Sequence, residues 1–112
     1  MQKIGIDIVE LNRLKNPKDG FVKHVLSKQE IECYDNYDGD RKIEYLGGRF
    51  AAKEAIIKCL SEIEIPNMNE IVILNSSNGR PYVTYKNYRI EVSISHEKHY
   101  ATAVAMLIRD EG

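Results

Sequence analysis

Two carboxylates stand at positions where the surrounding pattern is apolar. On a helix each residue turns by about 100°. With Glu54 at the centre, Ile43, Gly47, Phe50, Ala51, Ile57 and Lys58 fall in a narrow stripe around it, the face that should pack on the rest of the chain. A carboxylate there loses solvation unless a cation or good hydrogen bonds offset the cost. Lys58, four residues on, is spaced to be that partner. Glu54 reads either as an intrahelical ion pair with Lys58 at the rim of the core, or as a metal ligand with Lys58 beside it to receive an anionic substrate. Asp7 poses the same choice. It stands between Ile6 and Ile8 in a short strand, where aspartate is disfavoured, and reads as an outward edge position or as a second metal ligand. A strand carboxylate and a helix carboxylate that meet in space suit magnesium, which takes one or two carboxylates and completes its shell with water and substrate phosphate. Periodicity does not establish that they meet. His96, next to Ser95 at a strand end, can donate to phosphate or simply cap a loop. Asn78-Gly79-Arg80-Pro81 needs only turn chemistry.

The elements that must position these residues fall into two halves. Residues 3–9 alternate, with Ile4, Ile6 and Ile8 on one side and Gly5, Asp7 and Val9 on the other, as in a strand. Residues 16–20 (Asn-Pro-Lys-Asp-Gly) read as a turn. Ser27-Lys-Gln-Glu30 is a capping box that starts a helix running to about residue 34. After a polar break at 35–40, residues 41 to about 61 form the longest helix, closed by Pro66 and Asn67. The C-terminal half reads as strands at 70–75, 81–85, 89–95 and 100–108, with a hairpin turn at 76–79 and a break at 96–99. Helices followed by an antiparallel meander imply an α+β fold with one long helix and shorter helices packed on a mostly antiparallel sheet.

A chain of 112 residues, 43% hydrophobic, implies a single domain over 1–112 with a modest core, which self-association would supplement. Sixteen Lys and Arg face 17 Asp and Glu, a formal net charge of −1, which argues against a nucleic-acid-binding role. The balance is uneven: Arg13, Lys15, Lys18, Lys23 and Lys28 are opposed in their segment only by Asp19. That basic stretch reads as an ordinary solvated surface or as a landing site for an acidic partner. Cys33 and Cys59 have no metal-ligand spacing and read as free thiols. No signal pattern is present and no apolar run nears the roughly 18 residues of a membrane span, so the expectation is a soluble, cytoplasmic protein.

Taken in order, Gly5-Ile-Asp7-Ile-Val-Glu10, Gly48-Arg49-Phe50-Ala-Ala-Lys53-Glu54-Ala55-Ile-Ile-Lys58 and Ser93-Ile-Ser95-His96 resemble the holo-(acyl-carrier-protein) synthases of the 4′-phosphopantetheinyl transferase superfamily. Leu26-Ser-Lys-Gln-Glu30, Asn78-Gly-Arg-Pro-Tyr82 and His99-Tyr-Ala101 agree as well, so the resemblance covers nearly the whole chain. It implies a 4′-phosphopantetheinyl transferase-like fold and a magnesium-dependent transfer. The 4′-phosphopantetheine of coenzyme A would pass to a serine of apo acyl carrier protein, releasing adenosine 3′,5′-bisphosphate and serving fatty acid biosynthesis. By the same resemblance Asp7 and Glu54 bind magnesium and Lys58 contacts the coenzyme A phosphates. Arg49, Ser95 and His96 help hold the nucleotide end with its 3′-phosphate, and Arg13, on a first helix, meets the carrier protein. Glu54 and a water on the metal are both candidates for the proton acceptor. The family forms homotrimers with the coenzyme site between subunits. One departure stands out: the family's glycine-rich loop after the long helix, which helps enclose the coenzyme, is here Leu60-Ser-Glu-Ile-Glu-Ile-Pro-Asn67, without glycine. The competing readings are another magnesium-dependent nucleotide hydrolase or transferase, and a non-catalytic module that binds acidic proteins through Arg13 and Lys28.

Overall fold

A computed structural model of the chain describes residues 3–109. The order is β1 (Lys3–Glu10), a 3-10 turn (Leu11–Leu14), α1 (Asp19–Val25), α2 (Lys28–Asn36), α3 (Gly39–Leu60), a second 3-10 turn (Met68–Glu70), β2 (Val72–Asn75), β3 (Pro81–Thr84), β4 (Arg89–His96) and β5 (Tyr100–Ile108). The capping box at Ser27 and Glu30 forms as expected, each side chain bonded to the other's backbone N–H. α1 was not expected, because its seven residues carry too little pattern and Lys18 offers no side-chain cap. It is held instead by burying Val22 and Val25.

The strands depart from a single meander. β1, β5 and β4 form one antiparallel sheet in that order, while β2 and β3 form a separate hairpin. The chain turns sharply between β3 and β4, with Lys86 at φ 51° and the Tyr88 N–H donating to Tyr85 O. In the larger sheet Asp7 pairs with Ala103 and Ile6 with Val104, and Ser95 pairs with Thr102.

α3 lies across the inner face of this sheet. Ala51, Ala52 and Ala55 of the helix and Ala101, Ala103 and Ala105 of β5 are all buried, and small residues on both surfaces allow a short separation. The approach is tightest at Gly5, where an added Cβ would sit 2.1 Å from the Ala55 carbonyl oxygen. No side chain larger than hydrogen fits there without moving backbone. β1 is therefore locked against α3 one pair-step from Asp7 and one residue from Glu54.

A second constraint joins the helices to the hairpin. Lys53 and Glu30 are fully buried and form an ion pair. Lys53 Nζ also donates to Val25 O at 2.7 Å, and Glu30 Oε2 accepts from Ile73 N at 2.9 Å. Burial pushes the Lys53 ammonium below its ordinary pKa, against the pull of Glu30. The buried pair thus ties α1, α2, α3 and β2 together. Removing Glu30 leaves a buried ammonium without a partner, so Glu30→Ala should lower the unfolding free energy by about 3–5 kcal/mol. The paired change Glu30→Leu with Lys53→Met should cost less, since it leaves no stranded charge. Urea denaturation of the two variants checks the order.

Candidate active site

Asp7 and Glu54 come together. Both line a cleft of about 450 Å³ with Arg13, Lys15, Lys18, Phe21 and Phe50. β1 supplies Asp7 on the same side as Gly5 and Val9, facing α3 rather than solvent; its side chain is 20% exposed. The outward-edge reading of Asp7 does not hold. Glu54 is half-buried rather than core-facing, because the buried arc of α3 is centred on Ala51, Ala52, Ala55 and Ile56. Glu54 stands at its rim, where it reaches both water and Asp7's cleft.

The expected pair between Glu54 and Lys58 is replaced by another. Lys58 Nζ donates to Ile6 O at 2.6 Å and lies 3.6 Å from Asp7 Oδ1. α3 thus presents its lysine to the strand, and a cation already sits beside Asp7. Among the described residues the Glu54 carboxylate has no hydrogen-bond or ion-pair partner. No group of three or more His, Cys, Asp or Glu side chains converges among the described residues. Two carboxylates open to a solvent-reached cleft suit magnesium, which keeps most of its shell as water and substrate oxygen, better than zinc with its three or four protein ligands. Arg13 belongs to the 3-10 turn after β1, not to a first helix as the resemblance led one to expect. It nevertheless reaches the same cleft.

The remaining expected residues lie elsewhere. Arg49 and His96 line a second depression of about 320 Å³ with Tyr37, Arg41, Tyr45 and Asn75. Arg49 is buried and much of its guanidinium is already engaged. Its Nη2 donates to Ile73 O at 3.1 Å and to Asn75 Oδ1 at 2.6 Å, and Nε donates to Ile73 O at 3.3 Å. The guanidinium also stacks on Tyr45 at 4.4 Å, and Arg41 stacks on Tyr37 at 4.6 Å. Ser95 does not share this depression. Alternation along β4 puts Ile90, Val92, Ile94 and His96 on the inner side and Ser93 and Ser95 on the outer, so the Ser95–His96 pair is split across the sheet. Arg41, Tyr45 and Glu44 were missed in the sequence. Their spacing from Gly48 and Arg49, near multiples of a helical turn, was the available signal. A larger depression of about 560 Å³, lined by Glu10, Lys15, Asp40, Lys98 and Tyr100 among others, carries mixed charge and none of the expected site residues.

The glycine-free segment after α3 is fixed by a carboxylate. Glu64 accepts from Tyr85 Oη (2.6 Å), Lys86 Nζ (2.6 Å) and Tyr88 Oη (2.7 Å). These donors, Lys86 foremost, pull its carboxyl down from an ordinary 4.5 to about 2. The folded value lies below the unfolded one, so as pH falls the unfolded chain takes up this proton first. The stabilisation is complete above the unfolded pKa and is lost as pH falls through the folded one. Wild type should therefore exceed Glu64→Gln in urea midpoint by a constant margin above about pH 5, closing between pH 4.5 and 2. A margin unchanged at pH 2 would rule out the carboxylate as its source.

Comparison with known proteins gives a consistent result. A family model described as the 4′-phosphopantetheinyl transferase superfamily matches residues 3–105. The chain is 42% identical to a holo-[acyl-carrier-protein] synthase of Geobacillus sp., with 95% of each chain covered. It is similar to the crystal structure of a holo-(acyl-carrier-protein) synthase from Bacillus anthracis in complex with CoA (3′,5′-ADP), with a TM-score of 0.84, 34% identity and 94% of each chain covered. It also resembles the Helicobacter pylori holo-[acyl-carrier-protein] synthase in complex with coenzyme A, with a TM-score of 0.78, 31% identity, and 94% of this chain and 99% of that one covered.

Proposed function

The chain belongs to the 4′-phosphopantetheinyl transferase superfamily, and from that premise we propose that it is a holo-[acyl-carrier-protein] synthase working through the Asp7–Glu54 cleft. It transfers 4′-phosphopantetheine from coenzyme A to a serine of apo acyl carrier protein. The serine oxygen forms a bond to the β-phosphorus of coenzyme A, the bond from that phosphorus to the bridging oxygen breaks, and adenosine 3′,5′-bisphosphate leaves while the serine proton is released. The observation that carries this reading is the convergence of Asp7 and Glu54 from a strand and a helix on one cleft, in a chain similar over nearly its full length to synthases of this name.

Each side chain then has a part. Asp7 and Glu54 hold magnesium, which supplies charge neutralisation to the diphosphate when bound. Lys58, anchored beside Asp7 on a flexible and half-exposed side chain, brings a second positive charge to the diphosphate. Arg13, with Lys15 and Lys18 around the same cleft, receives the acidic carrier protein and brings its serine to the phosphorus. Arg49 and His96 take the nucleotide end of coenzyme A with its 3′-phosphate.

Within one chain that nucleotide depression and the carboxylate cleft are separate, which supports a homotrimer whose sites lie between subunits. The outer face of the main sheet supports the same reading. Ile4, Ile6 and Ile8 are 67%, 65% and 64% exposed, beside Val104 and Met106 of β5, an apolar strip that a second copy would cover. Ser95 lies on this outward side, so it would face a neighbour's coenzyme rather than its own chain's depression. No helix among the described residues is long and apolar enough to cross a membrane. A cytoplasmic setting and a place in fatty acid biosynthesis complete the proposal.

The test is intact-mass analysis of apo acyl carrier protein incubated with coenzyme A and this protein. With magnesium the carrier should gain one phosphopantetheine; with excess chelator it should gain none. Asp7→Ala and Glu54→Ala should each fold normally and lose at least about 100-fold in rate, since several kcal/mol of charge stabilisation are removed. A normal rate in either variant with magnesium present would overturn the metal assignment.

A further inference from the structure

We infer that Glu44 is a positioning residue that orients His96 for the 3′-phosphate of coenzyme A; this rests on the nucleotide reading of the second depression. The register that joins them is set at Gly48. An added Cβ on Gly48 would lie 3.0 Å from Ile94 Cγ2, so β4 packs closely on α3 at this pair. From that contact, four residues back along the helix cover about 6 Å and two residues forward along the strand cover about 6.6 Å. The two steps match, and they bring Glu44 opposite His96. Glu44 Oε2 lies 3.6 Å from His96 Nδ1.

Both side chains line the depression that contains Arg49. The imidazole is 48% exposed and Glu44 29% exposed, so without a fixed partner the ring is free to turn. A carboxylate on the Nδ1 side selects one ring orientation and leaves Nε2 directed away from it, available to an anion. Glu44 is itself an anion and is unsuited to touch a phosphate, so its effect passes through the histidine. Nothing else in the proposed reaction calls for a carboxylate in an anion-binding depression.

KM and kcat are measured for wild type, Glu44→Gln, His96→Asn and the double variant, with coenzyme A and with 3′-dephospho-coenzyme A as donors. Glu44→Gln should raise KM for coenzyme A about fivefold, the scale of one partly exposed polar contact. Its kcat and its KM for the dephospho donor should stay within about twofold. Adding Glu44→Gln to His96→Asn should change nothing further. Glu44→Asp, one methylene shorter with its charge kept, should give a smaller rise, and it serves if the glutamine variant folds poorly by circular dichroism. A rise equal for both donors, an unchanged KM for coenzyme A, or a full additional loss in the His96→Asn background overturns the inference. So does a His96→Asn variant with normal KM for coenzyme A. If wild type transfers nothing from coenzyme A, the proposed function itself fails, a result distinct from these.

Discussion

The contact between Gly5 and Ala55 is the constraint on which the rest depends. A hydrogen in place of a side chain lets β1 settle onto α3 until the strand nearly touches the helix backbone. Alternation then turns Asp7 inward two residues later, and the helix turn that carries Ala55 presents Glu54 at its rim. The same approach lets Lys58 reach the Ile6 carbonyl and Asp7. A larger residue at position 5 would separate the strand from the helix and, with them, the two carboxylates. The alanines of α3 and β5 do the same over a wider area, exchanging side-chain bulk for short distance between backbones.

The buried Lys53–Glu30 pair works on the opposite side of α3. Lys53 and Glu54 are neighbours in sequence but turn about 100° apart on the helix. One enters the protein and is enclosed; the other reaches the cleft. The pair adds little net stability over a well-packed apolar replacement, but its hydrogen bonds to Val25 O and Ile73 N require α1, α2, α3 and β2 to adopt one arrangement. Glu64 repeats the device at the C-terminal end of α3, where two phenols and a lysine immobilise a segment that has no glycine. Carboxylates in this protein thus serve two ends. Glu30 and Glu64, surrounded by donors, fix the fold, whereas Asp7 and Glu54, left with few partners, face the cleft.

In one chain the residues proposed for catalysis divide between two depressions. Asp7, Glu54 and Arg13 share one, Arg49 and His96 the other, and Ser95 faces outward with the isoleucines of β1. The proposed self-association would account for both this division and the exposed apolar strip. A sheet face that stays apolar at its centre while its polar residues gather toward β4 has the character of a surface built to be covered.

Much of this was legible in the sequence. The alternation of residues 3–9, the Ser27–Glu30 capping box and the hairpin turn at Gly79 each depend on local backbone preference, so they were readable without knowledge of distant contacts. So were the two carboxylates, because each broke an apolar pattern. α1 was not, since a seven-residue helix without a cap is stabilised by burial of Val22 and Val25 and not by its own propensity. The separation of the hairpin from the main sheet, the choice of Asp7 over Glu54 as the partner of Lys58, and the parting of Ser95 from His96 were likewise hidden. Residue type and spacing determined which groups were present and which element carried each one. Only the packing of α3 on the sheet decided which of them meet, because distance between groups far apart in sequence depends on side-chain volumes at contacts such as Gly5–Ala55 and Gly48–Ile94, which no local period records.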